Sequence, residues 1–241
     1  MKKITSAALL AIQLTWKAAL VFSLVAVGLQ IFYVYGELMP GGVPLQAAFG
    51  FEELLRSAVQ RAGQIWMIFL LFNLISFAGH TKGSKSVYTM NRLGLSEEQV
   101  TLVFGVVFTG YFLLYWAIQI AAAYGFFLWY SRFSLVSSNS FMLACWRSEW
   151  LHTLLPLKEW WGYLRNLAIC LSFGFSAAIG SQKLRHGKSY LLSVVPPVLC
   201  LFLLTGRIGD FWLDMILTVV LIGFTIGYFF TLRGGWEDDD L

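Results

Sequence analysis

Long apolar runs alternate with short polar islands along this chain, and the runs set its elements. The runs at about 18–35, 62–79, 97–130, 163–179, 190–205 and 212–232 approach or exceed the roughly 20 apolar residues that a membrane-crossing helix needs. They predict an all-α integral membrane fold with six transmembrane helices. At about 1.5 Å per residue the run 97–130 would reach roughly 50 Å, so it tilts, kinks near Gly110 or Gly125, or projects beyond the bilayer. Pro196-Pro197 predicts a kink inside the fifth span, because each proline removes a backbone donor. Ahead of the first span, Lys2, Ser6, Gln13 and Lys17 fall near one helical face, with Ile4, Ala8, Ile12 and Trp16 elsewhere. That pattern predicts an N-terminal interfacial helix over residues 1–17. In the segment 141–161, Trp146, Trp150 and Leu154 recur at i, i+4 and i+8, and Trp160-Trp161 follow Pro156. Tryptophan concentrates at membrane–water boundaries, so this segment reads as an outer interfacial element leading into the fourth span.

The polar island His80 to Gln99, HTKGSKSVYTMNRLGLSEEQ, carries signals of local structure. Ser84 can cap a short helix through Val87, Tyr88 and Met90, and Gly94 can end it. Ser96-Glu-Glu-Gln99 then reads as a capping box with two acids in the first turn of the next helix. A short helix over 83–94, a glycine break and a capped long helix are expected.

Composition sharpens the class. The 241 residues are 58% hydrophobic and 12% charged, about half the charge of a soluble chain. A pI near 9 in a soluble chain would suggest nucleic acid; here the basic residues lie in short loops, where they set orientation instead. With the N-terminus inside, Lys2, Lys3, Lys17, Lys82, Lys85, Arg92, Lys183, Arg185, Lys188 and Arg233 are cytosolic, ten of the 17 Lys and Arg. Six spans with both termini cytosolic follow. Cys145, Cys170 and Cys200 show neither metal spacing nor pairing and read as small apolar fillers.

The chemistry of a self-contained enzyme is missing from the sequence. His80, His152 and His186 stand apart, with no His-Glu-x-x-His, and no Gly-x-Ser-x-Gly elbow occurs. Gly180 to Ser189 has six residues between its glycines where a phosphate loop has four. No nucleotide site, catalytic residue, cofactor or metal site is expected. Asp210 and Asp214, one turn apart near Arg207, read as an interfacial ion pair, and Gln30 as a bond to a neighbouring helix. Gly223 and Gly227 form a Gly-x-x-x-Gly pair that permits close helix contact.

This layout resembles the membrane subunit of a bacterial six-span ABC exporter whose ATPase is a separate chain. Ser84-Lys-Ser-Val-Tyr-Thr-Met-Asn-Arg-Leu-Gly-Leu-Ser-Glu97 is similar to the cytosolic coupling segment of that group. The resemblance implies a coupling helix between spans two and three that seats in the ATPase, with Lys85, Val87, Tyr88, Thr89 and Arg92 as its contact residues. It also implies an ABC ATPase subunit and a second permease subunit as partners, in the bacterial cytoplasmic membrane. The scarcity of charge in the spans suits an apolar or amphipathic cargo such as a peptide, lipid or drug-like molecule. The alternative is a membrane assembly or signalling partner that transports nothing.

Overall fold

The computed structural model describes residues 2–39, 51–56, 59–79, 92, 94–132, 141–157, 159–204 and 211–234. Among these the regular elements are all helices: α1 (Lys2–Leu38), α2 (Phe51–Arg56), α3 (Val59–Gly79), α4 (Glu97–Tyr130), α5 (Phe141–Arg147), α6 (Glu149–Leu154), α7 (Trp160–Arg185), α8 (Leu191–Leu204) and α9 (Phe211–Gly234). Five of them, α1, α3, α4, α7 and α9, are long and apolar enough to cross a membrane. The fifth predicted span is different. α8 has 14 residues and holds Pro196 and Pro197 within it, a length of roughly 21 Å at about 1.5 Å per residue.

Two ends can be told apart. Lys3, Gly94, Glu97 and His186 gather at one, the basic end. At the other, α2, α5 and α6 cap the bundle, burying Phe51, Leu55, Cys145, Trp150 and Leu151 against Val34, Leu38, Phe126 and Tyr130. Phe51 meets Phe127 and Tyr130 at ring separations of 5.4 and 5.3 Å, so this end is aromatic.

Between the ends α7 is the central post. It packs against α3, α4, α8 and α9, and 72% of its most apolar stretch is buried, against 17% for α9. Its inner surface is built of small residues, Ala168, Ser172, Gly174, Ala177, Ala178, Gly180 and Ser181, which let neighbouring backbones come close. At Gly174 a Cβ would fall 2.5 Å from the backbone nitrogen of Thr109, and at Gly105 a Cβ would strike the ring of Phe175. Glycine is therefore what sets the α4–α7 distance. Around that seam Phe104, Phe108, Phe112 and Phe173 fill the core, each 1% exposed or less.

Several predicted elements change form. No break separates residues 2–17 from the first predicted span; α1 runs through both. Its buried face there is small, Ala7, Ala11, Thr15 and Ala19, while Ile4, Ile12 and Trp16 face outward. α7 extends past the predicted limit at Ile179 to Arg185, so Lys183 and Arg185 form its last turn, where cations complement the helix dipole. Gly187, at φ +70°, then turns the chain away. The Trp146, Trp150, Leu154 stripe is interrupted at Ser148, whose hydroxyl accepts from Leu151 N and starts α6. Trp146 is consequently exposed and Trp150 buried. Nothing lies within 4 Å of a Cβ added at Gly223 or Gly227, so among the described residues that pair makes no close helix contact.

Candidate functional site

At the basic end the start of α4 follows the sequence reading. Gly94 takes the left-handed conformation at φ +57°, where a side chain would be strained. Ser96 Oγ accepts from Gln99 N and Gln99 Oε1 accepts from Ser96 N, a reciprocal capping box, with Glu97 and Glu98 in the first turn. Of the predicted contact residues, Arg92 is exposed on this end; Lys85, Val87, Tyr88 and Thr89 lie outside the described residues.

Both flanks of residues 80–96 are fastened to the same place, the last turns of α7. On the α3 side, a Cβ added at Gly79 would lie 2.6 Å from Leu184 Cδ2, so only glycine fits there. On the α4 side, Glu97 Oε2 stands 2.7 Å from His186 Nε2 and accepts from Gln182 Nε2 at 3.3 Å. The Arg185 guanidinium lies over the Phe104 ring, 5.6 Å from its centroid. Lys183 Nζ then donates to Ser193 Oγ of α8 at 2.9 Å. This clasp ties the ends of α3, α4 and α7 and the first turn of α8 into one unit.

A second polar feature lies within the bundle, toward the aromatic end. Gln30 of α1, 0% exposed, donates through Nε2 to Gln119 Oε1 of α4 (2.7 Å) and to Val59 O (3.1 Å). Gly63 leaves the space this pair fills, since a Cβ there would meet Gln119 Oε1 at 3.1 Å. Tyr115 donates to Gly63 O at 2.7 Å. Beside the pair is a cavity of about 80 Å³ among α3, α4, α6, α7 and α8, walled largely by Met67, Phe112, Trp116, Trp150, Ile169 and Leu201.

Next to that cavity is a buried ion pair. Arg165, in the second turn of α7, donates through Nη1 to Asp214 Oδ2 of α9 at 2.8 Å. Its Nη2 reaches Thr153 O at 3.1 Å, and Nε and Nη2 both approach Asn166 Oδ1. Asn166 Nδ2 donates to the same Thr153 carbonyl and its side chain lines the cavity. The sequence reading placed Asp210 and Asp214 near Arg207 and did not connect Asp214 with Arg165. Arg207 and Asp210 lie outside the described residues, and Asp214 is taken by Arg165. The available clue was register: both residues stand within the first two turns of helices that start at the aromatic end.

Cys145, Cys170 and Cys200 are free and buried. Burial pushes the Cys145 thiol up to about 11, so it stays protonated at neutral pH. Among the described residues no cluster of three His, Cys, Asp or Glu could hold a metal ion. Comparisons with protein families, curated proteins and solved structures found no match. The class that the fold defines is a multi-pass α-helical membrane protein.

Proposed function

We propose that this chain is the permease subunit of an ABC transporter, crossing the bacterial cytoplasmic membrane six times with both termini in the cytosol. A second permease subunit, identical or related, and separate ATPase subunits complete the machine. Its cargo is apolar or amphipathic. Residues 83–94 form the coupling helix, and Lys85, Val87, Tyr88, Thr89 and Arg92 contact the ATPase.

The observation that carries this reading is the clasp. A segment that transmits the closing of an ATPase must push on something stiff, and both flanks of residues 80–96 are anchored on α7, the central post. A push there reaches α3, α4 and α9 through one helix. The gathering of Lys3, Arg92, Lys183, Arg185 and Lys188 toward this end fits the positive-inside rule for a cytosolic face. α8 serves as the short fifth crossing and α9 as the sixth. α8 leaves from the basic end, and α9 begins beside the start of α7, where Phe211 meets Trp161 at 5.9 Å.

The test is purification of the tagged chain from its native host in mild detergent, with identification of what accompanies it. An ATPase subunit should be retained, and should be lost in the Lys85→Glu/Arg92→Glu variant while membrane insertion persists. A stable preparation with no ATPase would move the reading to a non-transporting assembly or signalling partner.

A further inference from the structure

We infer that the outward face of α1 around Lys17 is covered, within the membrane, by a helix of a different protein that carries a carboxylate at mid-depth. The depth of Lys17 comes first. α3, with 21 residues and a length of roughly 31 Å at about 1.5 Å per residue, matches a hydrocarbon core about 30 Å thick. One end of α3 is at Val59, whose carbonyl accepts from Gln30 of α1. The other is at Gly79, at the basic end, where Lys3 Nζ approaches Gly94. Lys17 is 14 residues from Lys3 and 13 from Gln30, so it stands midway, roughly 20 Å from either level at about 1.5 Å per residue. Thr15 Oγ1 donates to Tyr111 OH at 3.3 Å, which sets this stretch of α1 beside the middle of α4. Leu9 and Ile12 on one side of Lys17, and Leu24 and Leu29 on the other, are exposed. The lysine therefore stands inside the apolar belt and not at its edge.

Lys17 shares its exposed face with Gln13, Leu20, Leu24 and Gly28, which recur at helical spacing. A lysine near a helix end reaches the interface with its four-carbon stem; at mid-depth both interfaces are out of reach, and a bare charge in lipid is costly. Among the described residues neither Lys17 nor Gln13 has a hydrogen-bond or ion-pair partner, and the ammonium lies 5.8 Å from the centroid of the Trp16 ring. A ring attracts a cation without neutralising it. The chemistry missing at this depth is a negative charge, with an acceptor for Gln13 one turn away. A second copy of the chain does not supply it. The described helices carry acids in α2 and α6, in the first turns of α4 and α9, at Glu37 and at Glu159, all toward one end or the other. A two-fold axis along the membrane normal keeps each residue at its own depth, so it would set Lys17 beside Lys17. Gly28, with nothing within 4 Å of an added Cβ, leaves room for the partner's backbone to come close. The other outward residues of α1 are left for lipid.

The test is made in the native host on the full chain, with the photo-cross-linker p-benzoylphenylalanine in place of Leu20, on the same face as Lys17. Illumination should give an adduct whose captured peptide, read by mass spectrometry, is an apolar segment of another protein with an Asp or Glu near its centre. The adduct should persist in Lys17→Arg and be lost in Lys17→Leu. It should return when Lys17→Asp is combined with a lysine in place of the partner's acid. Lys17 has no partner to lose within the chain, so Lys17→Leu should leave the unfolding midpoint of the purified chain within error of wild type; the charge swap carries the test if that variant does not fold. An undiminished adduct in Lys17→Leu, a captured peptide without an acid, an adduct with the chain itself, no protein adduct, or a charge swap that restores nothing would overturn the inference. It rests on the membrane class alone and needs no ATPase, so it stands or falls apart from the docking of residues 80–96.

Discussion

Arg165 binds three partners within the bundle, linking α9 through Asp214, α6 through Thr153 and its own neighbour Asn166. Its side chain is 5% exposed and that of Asp214 12%. Removing one member of such a pair strands the other, at a cost of about 3–5 kcal/mol, whereas replacing both by apolar groups can be near neutral. Arg165→Leu should therefore lower the thermal unfolding midpoint in detergent sharply, and Asp214→Leu likewise. The double variant should recover most of the loss. If the double is as unstable as the sum of the singles, the pair is not the coupled unit drawn here. The contrast with Ser96 explains what could be read beforehand at this scale. A capping box is written within four residues, so its signal is local, whereas Arg165 and Asp214 are 49 residues apart and become neighbours only when α7 and α9 pack.

At the scale of elements, spacing between helices is set by what is missing from them. Gly174 sits where a Cβ would meet Thr109 Oγ1 and its backbone nitrogen and Cα, atoms that cannot swing aside. Gly174→Ala should force α4 and α7 apart and cost about 1–3 kcal/mol, the range for overpacking a tight core. Gly223→Ala, with open space around it, should leave the unfolding midpoint within error of wild type. A neutral Gly174→Ala would mean that the seam is looser than drawn. The same inversion applies to α1. Its first 17 residues were sorted into polar and large apolar faces, as for a helix resting at a water interface. In the bundle the inward face is the small one, Ala7, Ala11, Thr15 and Ala19, and the large residues are left for lipid. Apolar runs show that a helix is buried in something; they do not say which side meets protein. The α5–α6 break was missed for a related reason, because helical spacing continues across Ser148 even though its hydroxyl has begun a new helix.

For the whole molecule the decisive question is which ends share a side of the membrane. Cys145, Cys170 and Cys200 are buried, and the raised Cys145 thiol should stay unreactive near pH 7, so introduced cysteines can be labelled against a quiet background. Lys188→Cys should react with an impermeant maleimide from one face of the membrane, and Trp160→Cys and Trp212→Cys from the other. All three native positions are exposed. If Lys188→Cys and Trp212→Cys react from the same face, α8 does not cross and the six-span topology fails. The five long apolar helices and their order could be read directly from the run lengths. The cavity could not, because it is assembled from five helices whose contributing residues, among them Gln64, Gln119 and Asn166, look like isolated polar interruptions until they meet.

The 14 described residues of α8 bear on the lipid around the protein. α8 turns Leu192, Leu199 and Phe202 outward, 80%, 57% and 52% exposed, over a helix of roughly 21 Å at about 1.5 Å per residue, where a hydrocarbon core is about 30 Å thick. α1, with 37 residues, offers more than enough length to span. On the six-span topology proposed above, lipids beside α8 would have to shorten or tilt while those beside α1 stay at full depth, and the surrounding bilayer would be graded in thickness around the protein. A chain with such a pinched side should insert more stably among short-tailed lipids and accumulate in the thinner patches of a mixed membrane.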